Sequence, residues 1–105
     1  MTTIAELADR IAHAVSADPA VVRLDAGSLG LVATYVPGGR VAGVRVASPT
    51  GPVVLGVVLY LDRPLPEVTA RLRELVRSVA GDMAVNVELA GVVSTVDDAG
   101  GLPPR

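Results

Sequence analysis

The sequence predicts a two-layer α+β domain in which two amphipathic helices cover a four-stranded mixed sheet, in the order α-β-β-β-α-β. Three observations lead there. Residues 52–61, PVVLGVVLYL, are apolar at nearly every position. Side chains alternate between the faces of a strand, so such a run needs cover on both faces and reads as the central strand. Two stretches, near residues 4–17 and 65–79, instead repeat apolar side chains at helical spacing. Between residues 31 and 46, two strand-like runs flank Pro37-Gly38-Gly39-Arg40, whose glycines supply the positive φ of a hairpin turn.

The first helix opens on Thr3-Ile4-Ala5-Glu6, the form of a capping box, in which hydroxyl and carboxylate each close an exposed amide. Ile4, Leu7, Ile11 and Val15, with Ala8 and Ala14 beside them, make its apolar stripe. Asp18-Pro19 ends it, because the residue before a proline is pushed out of the helical region. Residues 20–24, AVVRL, are short and apolar and admit one extra strand at 21–24; Asp25-Ala26-Gly27-Ser28 then reads as loop. Strands at 31–36 and 41–46, a second turn at 48–51 and the central strand would form a three-stranded antiparallel meander.

Pro64 and Pro66 punctuate the start of the second helix, where a proline costs no hydrogen bond. Leu65, Val68, Leu72, Leu75, Val76 and Val79 line one face. Glu67, Arg71, Arg73, Glu74 and Arg77 take the rest, with Glu67 and Arg71 in the favourable i,i+4 order. Gly81-Asp82 ends this helix. The last strand spans 83–96, with Val85, Val87 and Leu89 on one face, Asn86 and Glu88 on the other, and a bulge at Gly91. Residues 1–96 therefore make a single domain, and 97–105, DDAGGLPPR, a flexible tail without apolar periodicity.

Composition narrows the function classes. The 105 residues include no cysteine, which excludes disulfides and thiolate metal sites. A net charge of −2 argues against a surface that tracks phosphates, so nucleic acid is a disfavoured partner. Glu6 and Asp9 fall where an export signal would carry positive charge, and the central strand is half the length of a membrane span, about 20 residues. A cytoplasmic chain with no anchor of its own is expected.

No residue set points to catalysis, a cofactor or a metal. His13, the one histidine, lies about 200° around the helix from Ile11 and should be a solvated surface residue. No serine stands in a nucleophile elbow. Gly27-Ser28-Leu29-Gly30 matches the G-x-x-G loop of KH nucleic-acid-binding modules, but it precedes a strand and is uncharged, so a turn is the better reading. Gly51 and Gly56 have phosphate-loop spacing without the Lys-Ser/Thr that must follow. The candidate interaction residues are Arg71, Arg73 and Arg77 on the second helix, interleaved with glutamates, and Arg40 and Arg45 on the meander.

The central strand offers a broader signal. With both helices on one side, the opposite face of so apolar a strand is either an interface for another protein, or a sheet edge open to strand addition, or is covered by the N-terminal segment or by residues 20–24.

In the order and wording of its segments the chain resembles the alkaline shock protein family, the envelope-stress or general-stress proteins of Gram-positive bacteria, in its actinobacterial form. The likeness is carried by DPAVVRLDAG at 18–27, VATYVPGGRVAGVRV at 32–46, the apolar strand, RPLPEV at 63–68 and VNVE at 85–88, and it covers roughly residues 4–96. Where many members carry a Tyr-Gly pair after the third strand, this chain has Asp62-Arg63. The resemblance implies a non-enzymatic protein of envelope homeostasis, without cofactor or small-molecule substrate. It would gather at the inner face of the membrane through a membrane-embedded partner or a paralogue, or form a homo-oligomer. The alternative is a small KH-like nucleic-acid-binding domain.

Overall fold

A computed structural model describes residues 3–94. The expected tail at 97–105 lies outside the described residues. The elements are α1 (Ile4–Ser16), β1 (Val21–Leu24), β2 (Ala33–Val36), β3 (Gly39–Ala42), β4 (Val44–Val46), β5 (Val53–Tyr60), α2 (Leu65–Ala80) and β6 (Val85–Val93). This is a mixed α+β fold with a four-stranded sheet, a two-stranded sheet and two helices.

β5 is the centre. β6 runs parallel along one of its edges, from Val53↔Val85 to Tyr60↔Val93. The other edge is shared: β4 pairs antiparallel with its first half, Val44↔Leu55 to Val46↔Val53, and β1 with its second, Val21↔Leu59 to Leu24↔Val57. Gly56 bridges the two, since its carbonyl accepts from Asp25 N–H (2.9 Å) and its N–H donates to the Gly43 carbonyl (2.8 Å). β1 and β4 thus act as one broken strand, and the chain between them leaves the sheet to form the β2–β3 hairpin.

This corrects the expected meander and element order. The run 41–46 keeps its strand-like composition throughout, yet it is two strands belonging to two sheets. The break is Gly43, at φ +84. A Cβ there would come within 3 Å of Leu24 Cβ, Asp25 N and Gly56 O, so only glycine lets the three segments meet. Residues 21–24 are a full member of the sheet. The bulge in β6 falls between Leu89 and Gly91, leaving Ala90 as the extra residue.

The helices form as their sequences require. Thr3 and Glu6 make the reciprocal capping box, with Glu6 N–H donating to Thr3 Oγ1 (3.0 Å) and Thr3 N–H to Glu6 Oε1 (2.9 Å). The Thr3 N–H bond to the carboxylate is the largest cause that holds the Glu6 pKa below its ordinary value. α2 ends at Gly81, φ +102. The core fills the space between helices and sheet. Leu7, Ile11 and Val15 of α1 and Val68, Leu72 and Val76 of α2 meet Val53, Leu55, Val57 and Leu59, the odd positions of β5. Each such side chain, fully buried, contributes about 1.5–3 kcal/mol.

The even positions of β5 face away from the helices. The α1 stripe packs on the odd positions instead, and residues 21–24 pair with the edge of β5. The segment after β1 lies over the even positions: the Asp25 carbonyl and the Val32 side chain sit over Gly56, and Val32 and Val58 are buried. The flanking strands place exposed polar side chains beside this row, with Arg45 opposite Val54 on one side and Asn86 and Glu88 opposite Val54 and Gly56 on the other. The apolar surplus of the central strand is therefore largely accounted for within the chain.

The outer edge of β4 is closed by a side chain. Thr34, buried on β2, donates from Oγ1 to the Val44 carbonyl (2.6 Å) and accepts from Val46 N–H (3.1 Å). One hydroxyl thereby replaces a strand partner.

Candidate functional site

The helix-free face carries a cleft of about 480 Å³ between the segment after β1 and the middle of β6. Asp25, Ser28 and Val32 line one wall, Glu88, Leu89 and Ala90 the other, and Gly56 the floor. The wall is rigid for local reasons. Asp25 Oδ1 accepts from Gly27 N–H (2.8 Å), and Gly30 N–H donates to the Gly27 carbonyl (3.0 Å). Gly27 and Gly30 stand at φ +84 and +69, and Arg40 donates to the Gly30 carbonyl (3.2 Å) from the hairpin. The G-x-x-G stretch is thus a closed turn between β1 and β2. Its charged neighbours in the cleft are the carboxylates Asp25 and Glu88, which would repel a phosphate backbone.

Leu29 and Leu31, 81% and 64% exposed, stand at an adjoining groove that shares Ser28, Val32 and Glu88. Exposure also rises along β6: Val85 is buried against the core, whereas Leu89 and Val92 are 43% and 45% exposed. The helix layer covers the start of β6 and leaves its end uncovered.

Among the described residues β6 pairs with β5 alone, and no strand lies along its far edge. The Ala84 carbonyl accepts from Val53 N–H (2.9 Å) and so points inward. Alternation along a parallel ladder then turns the N–H and C=O of Val85, Val87 and Leu89 outward. Arg73 Nε occupies the first of these, donating to the Val85 carbonyl (3.3 Å). The bulge at Ala90 ends the regular edge.

The five arginines singled out in the sequence do not gather in one place. Arg71 donates from Nε and Nη2 to the two carboxylate oxygens of Asp18 (3.1 and 2.9 Å), at the corner between α1 and β1. This pair supplants the expected i,i+4 bond to Glu67. Asp18 also accepts from Ala20 N–H (2.9 Å), and its side chain is only 9% exposed. The fork geometry of Arg71 holds the Asp18 pKa below the ordinary carboxylate value, and Asp18 in turn raises that of Arg71. Arg73 and Arg77 tie α2 to the far corner, Arg77 donating to the Met83 carbonyl (3.2 Å) and to Glu74 (2.9 Å). Arg40 braces the hairpin. Arg45 is exposed on the helix-free face, across β5 from Asn86. Four of the five tie separate segments of the chain together, and Arg45 does not.

No protein-family model, curated protein or solved structure matches the chain. Among the described residues no helix is long and apolar enough to cross a membrane, and no three side chains are grouped to hold a metal ion.

What the sequence reading missed is the cleft and which strand carries an open edge. Glu88 and Leu89 read as ordinary alternating strand residues, and nothing local marks β6 as an edge. Gly56 did carry a signal, because a glycine inside a strand often marks close backbone approach.

Proposed function

We propose that this protein is a non-enzymatic interaction module of the envelope-stress type, brought to the inner face of the membrane by a membrane-embedded partner or a paralogue, or acting through its own self-association. The observation that carries the reading is the occurrence of exposed aliphatic side chains beside an open strand edge. Leu29 and Leu31 stand at the groove on the helix-free face, and Leu89 and Val92 are exposed toward the end of β6. Solvent contact at such positions is costly, and a partner's surface relieves it. The resemblance set out above supplies the cellular setting.

The test is an affinity pull-down of the tagged protein from detergent-solubilised cells of its source, read by mass spectrometry against an untagged control. Recovery of a small membrane protein or a paralogue is expected. A chain that sediments as a monomer and retains neither would refute the proposal. The nucleic-acid alternative predicts a salt-dependent mobility shift with RNA; with Asp25 and Glu88 beside the turn, none is expected.

A further inference from the structure

We propose that the outer edge of β6 receives an extended segment of a partner protein, which adds as a strand with a basic side chain in the cleft beside Glu88 and aliphatic side chains alongside Leu89 and Val92. The inference rests on the interaction-module reading and names the chemistry of the partner.

Three features define the occupant. The first is the backbone. Val87 and Leu89 turn N–H and C=O outward, while Arg73 blocks the edge before them and the Ala90 bulge ends it after them. A short extended segment fits that window, and main-chain hydrogen bonds are the usual source of affinity in strand addition. The second is the alternation of faces. Glu88 lies opposite Gly56 on the helix-free side, whereas Leu89 and Val92 hold the helix-side positions opposite Val57 and Leu59. An added strand must match this period of two: one side chain toward Glu88, its neighbours toward the aliphatic pair. The third is charge. Asp25 is already engaged by Gly27 N–H and by Arg23 (3.4 Å). Glu88 is exposed and in no ion pair among the described residues. The cleft, about 480 Å³ in volume, has room for a lysine or arginine side chain beside that carboxylate. A second copy of β6 would bring another Glu88 and no base, because residues 85–93 contain neither lysine nor arginine. Charge therefore selects a different protein over self-pairing.

The probe is a blocked heptapeptide alternating valine and arginine, titrated into the protein and followed by heteronuclear NMR. Parallel titrations use valine–serine and valine–glutamate peptides, and a valine–arginine peptide N-methylated at every second residue. The amide signals of Val87, Glu88 and Leu89 should move, with the arginine peptide binding at least about threefold more tightly than the serine one. The N-methylated peptide should bind far more weakly, since it cannot complete the ladder. Glu88→Lys, which changes an exposed side chain, should invert the preference toward the glutamate peptide while circular dichroism confirms the fold. Shifts that map elsewhere, equal affinity for all side-chain patterns, an unchanged preference in Glu88→Lys, or a β6-paired dimer that excludes the peptides would each overturn the proposal. The pull-down separates the two levels. A membrane protein or paralogue retained equally by wild type and Glu88→Lys leaves the module reading standing and removes the edge as its site. No partner for either removes the module reading itself.

Discussion

Replacing Thr34 by valine tests whether one hydroxyl closes the outer edge of β4. The shapes are similar, so no large cavity forms, but the Val44 carbonyl and Val46 N–H lose their cross-edge partner in a buried place. Leaving a buried polar group unsatisfied costs about 1–3 kcal/mol, and the new methyl returns roughly 0.8 kcal/mol through burial. With two such groups, each near the middle of that range, the net loss should be about 3 kcal/mol, a large share of the 5–15 kcal/mol typical of a domain. For a chain of this size that is a fall in Tm of roughly 10–25 °C. Urea unfolding should show a lowered midpoint with an unchanged slope, because the surface exposed on unfolding is the same. Thr34→Ser keeps both hydrogen bonds and loses only a methyl, so it should fall by about 1 kcal/mol. A Thr34→Val protein as stable as Thr34→Ser would refute the account, showing that water or a backbone shift satisfies the two groups.

Gly56→Ala would place its Cβ on the Asp25 carbonyl oxygen, so the segment over the sheet must move; a loss of about 1–3 kcal/mol is expected, with NMR shifts spreading through residues 25–32. Gly39→Ala meets nothing within 4 Å and should stay within about 0.5 kcal/mol, measured by the same urea titration. The Asp18 pKa is lowered by folding, so its contribution is present at neutral pH and lost as pH falls below the ordinary carboxylate range. Wild type should therefore lose Tm between about pH 5 and 2 more steeply than Asp18→Asn, which starts lower and lacks that titration. Arg71→Ala removes the fork at the α1–β1 corner and should cost about 1.5–3 kcal/mol, whereas Arg45→Ala should leave thermal unfolding within about 0.5 kcal/mol.

Local chemistry and long-range geometry were not equally legible in this chain. Both helices could be read because their determinants lie within a few residues of one another: the Thr3–Glu6 box, the Leu7-Ile11-Val15 stripe and the Gly81 stop all act at short range. The central position of β5 could be read because burial on two faces leaves a mark at every residue. The split of residues 41–46 could not. Strand-like composition runs unbroken through Val41-Ala42-Gly43-Val44, and what makes Gly43 a corner is the arrival of Leu24, Asp25 and Gly56 from elsewhere. Arg71 shows the same limit: the i,i+4 rule favours Glu67, but Asp18, held in place by Ala20 N–H, offers both oxygens to the guanidinium fork. An exposed i,i+4 pair contributes a few tenths of a kcal/mol, and a bidentate bond to a mostly buried carboxylate contributes more.

The candidate site follows from this difference. Strand alternation assigns Glu88 and Leu89 to opposite faces of β6, and that much lies in the sequence. Which strand is an edge depends on pairing order, and here it depends on one event, the return of β4 to the same side of β5 that β1 occupies. β1 and β4 divide that side between them, β6 has the other side alone, and among the described residues no strand pairs with its far edge. The glycine junction at Gly43 and Gly56 lets β1 and β4 abut along that side. The same junction brings the Asp25 carbonyl over Gly56 and so builds the cleft wall facing Glu88. A substitution that opens the junction should therefore disturb the wall and the floor of the cleft together, although neither glycine contacts the proposed partner through a side chain.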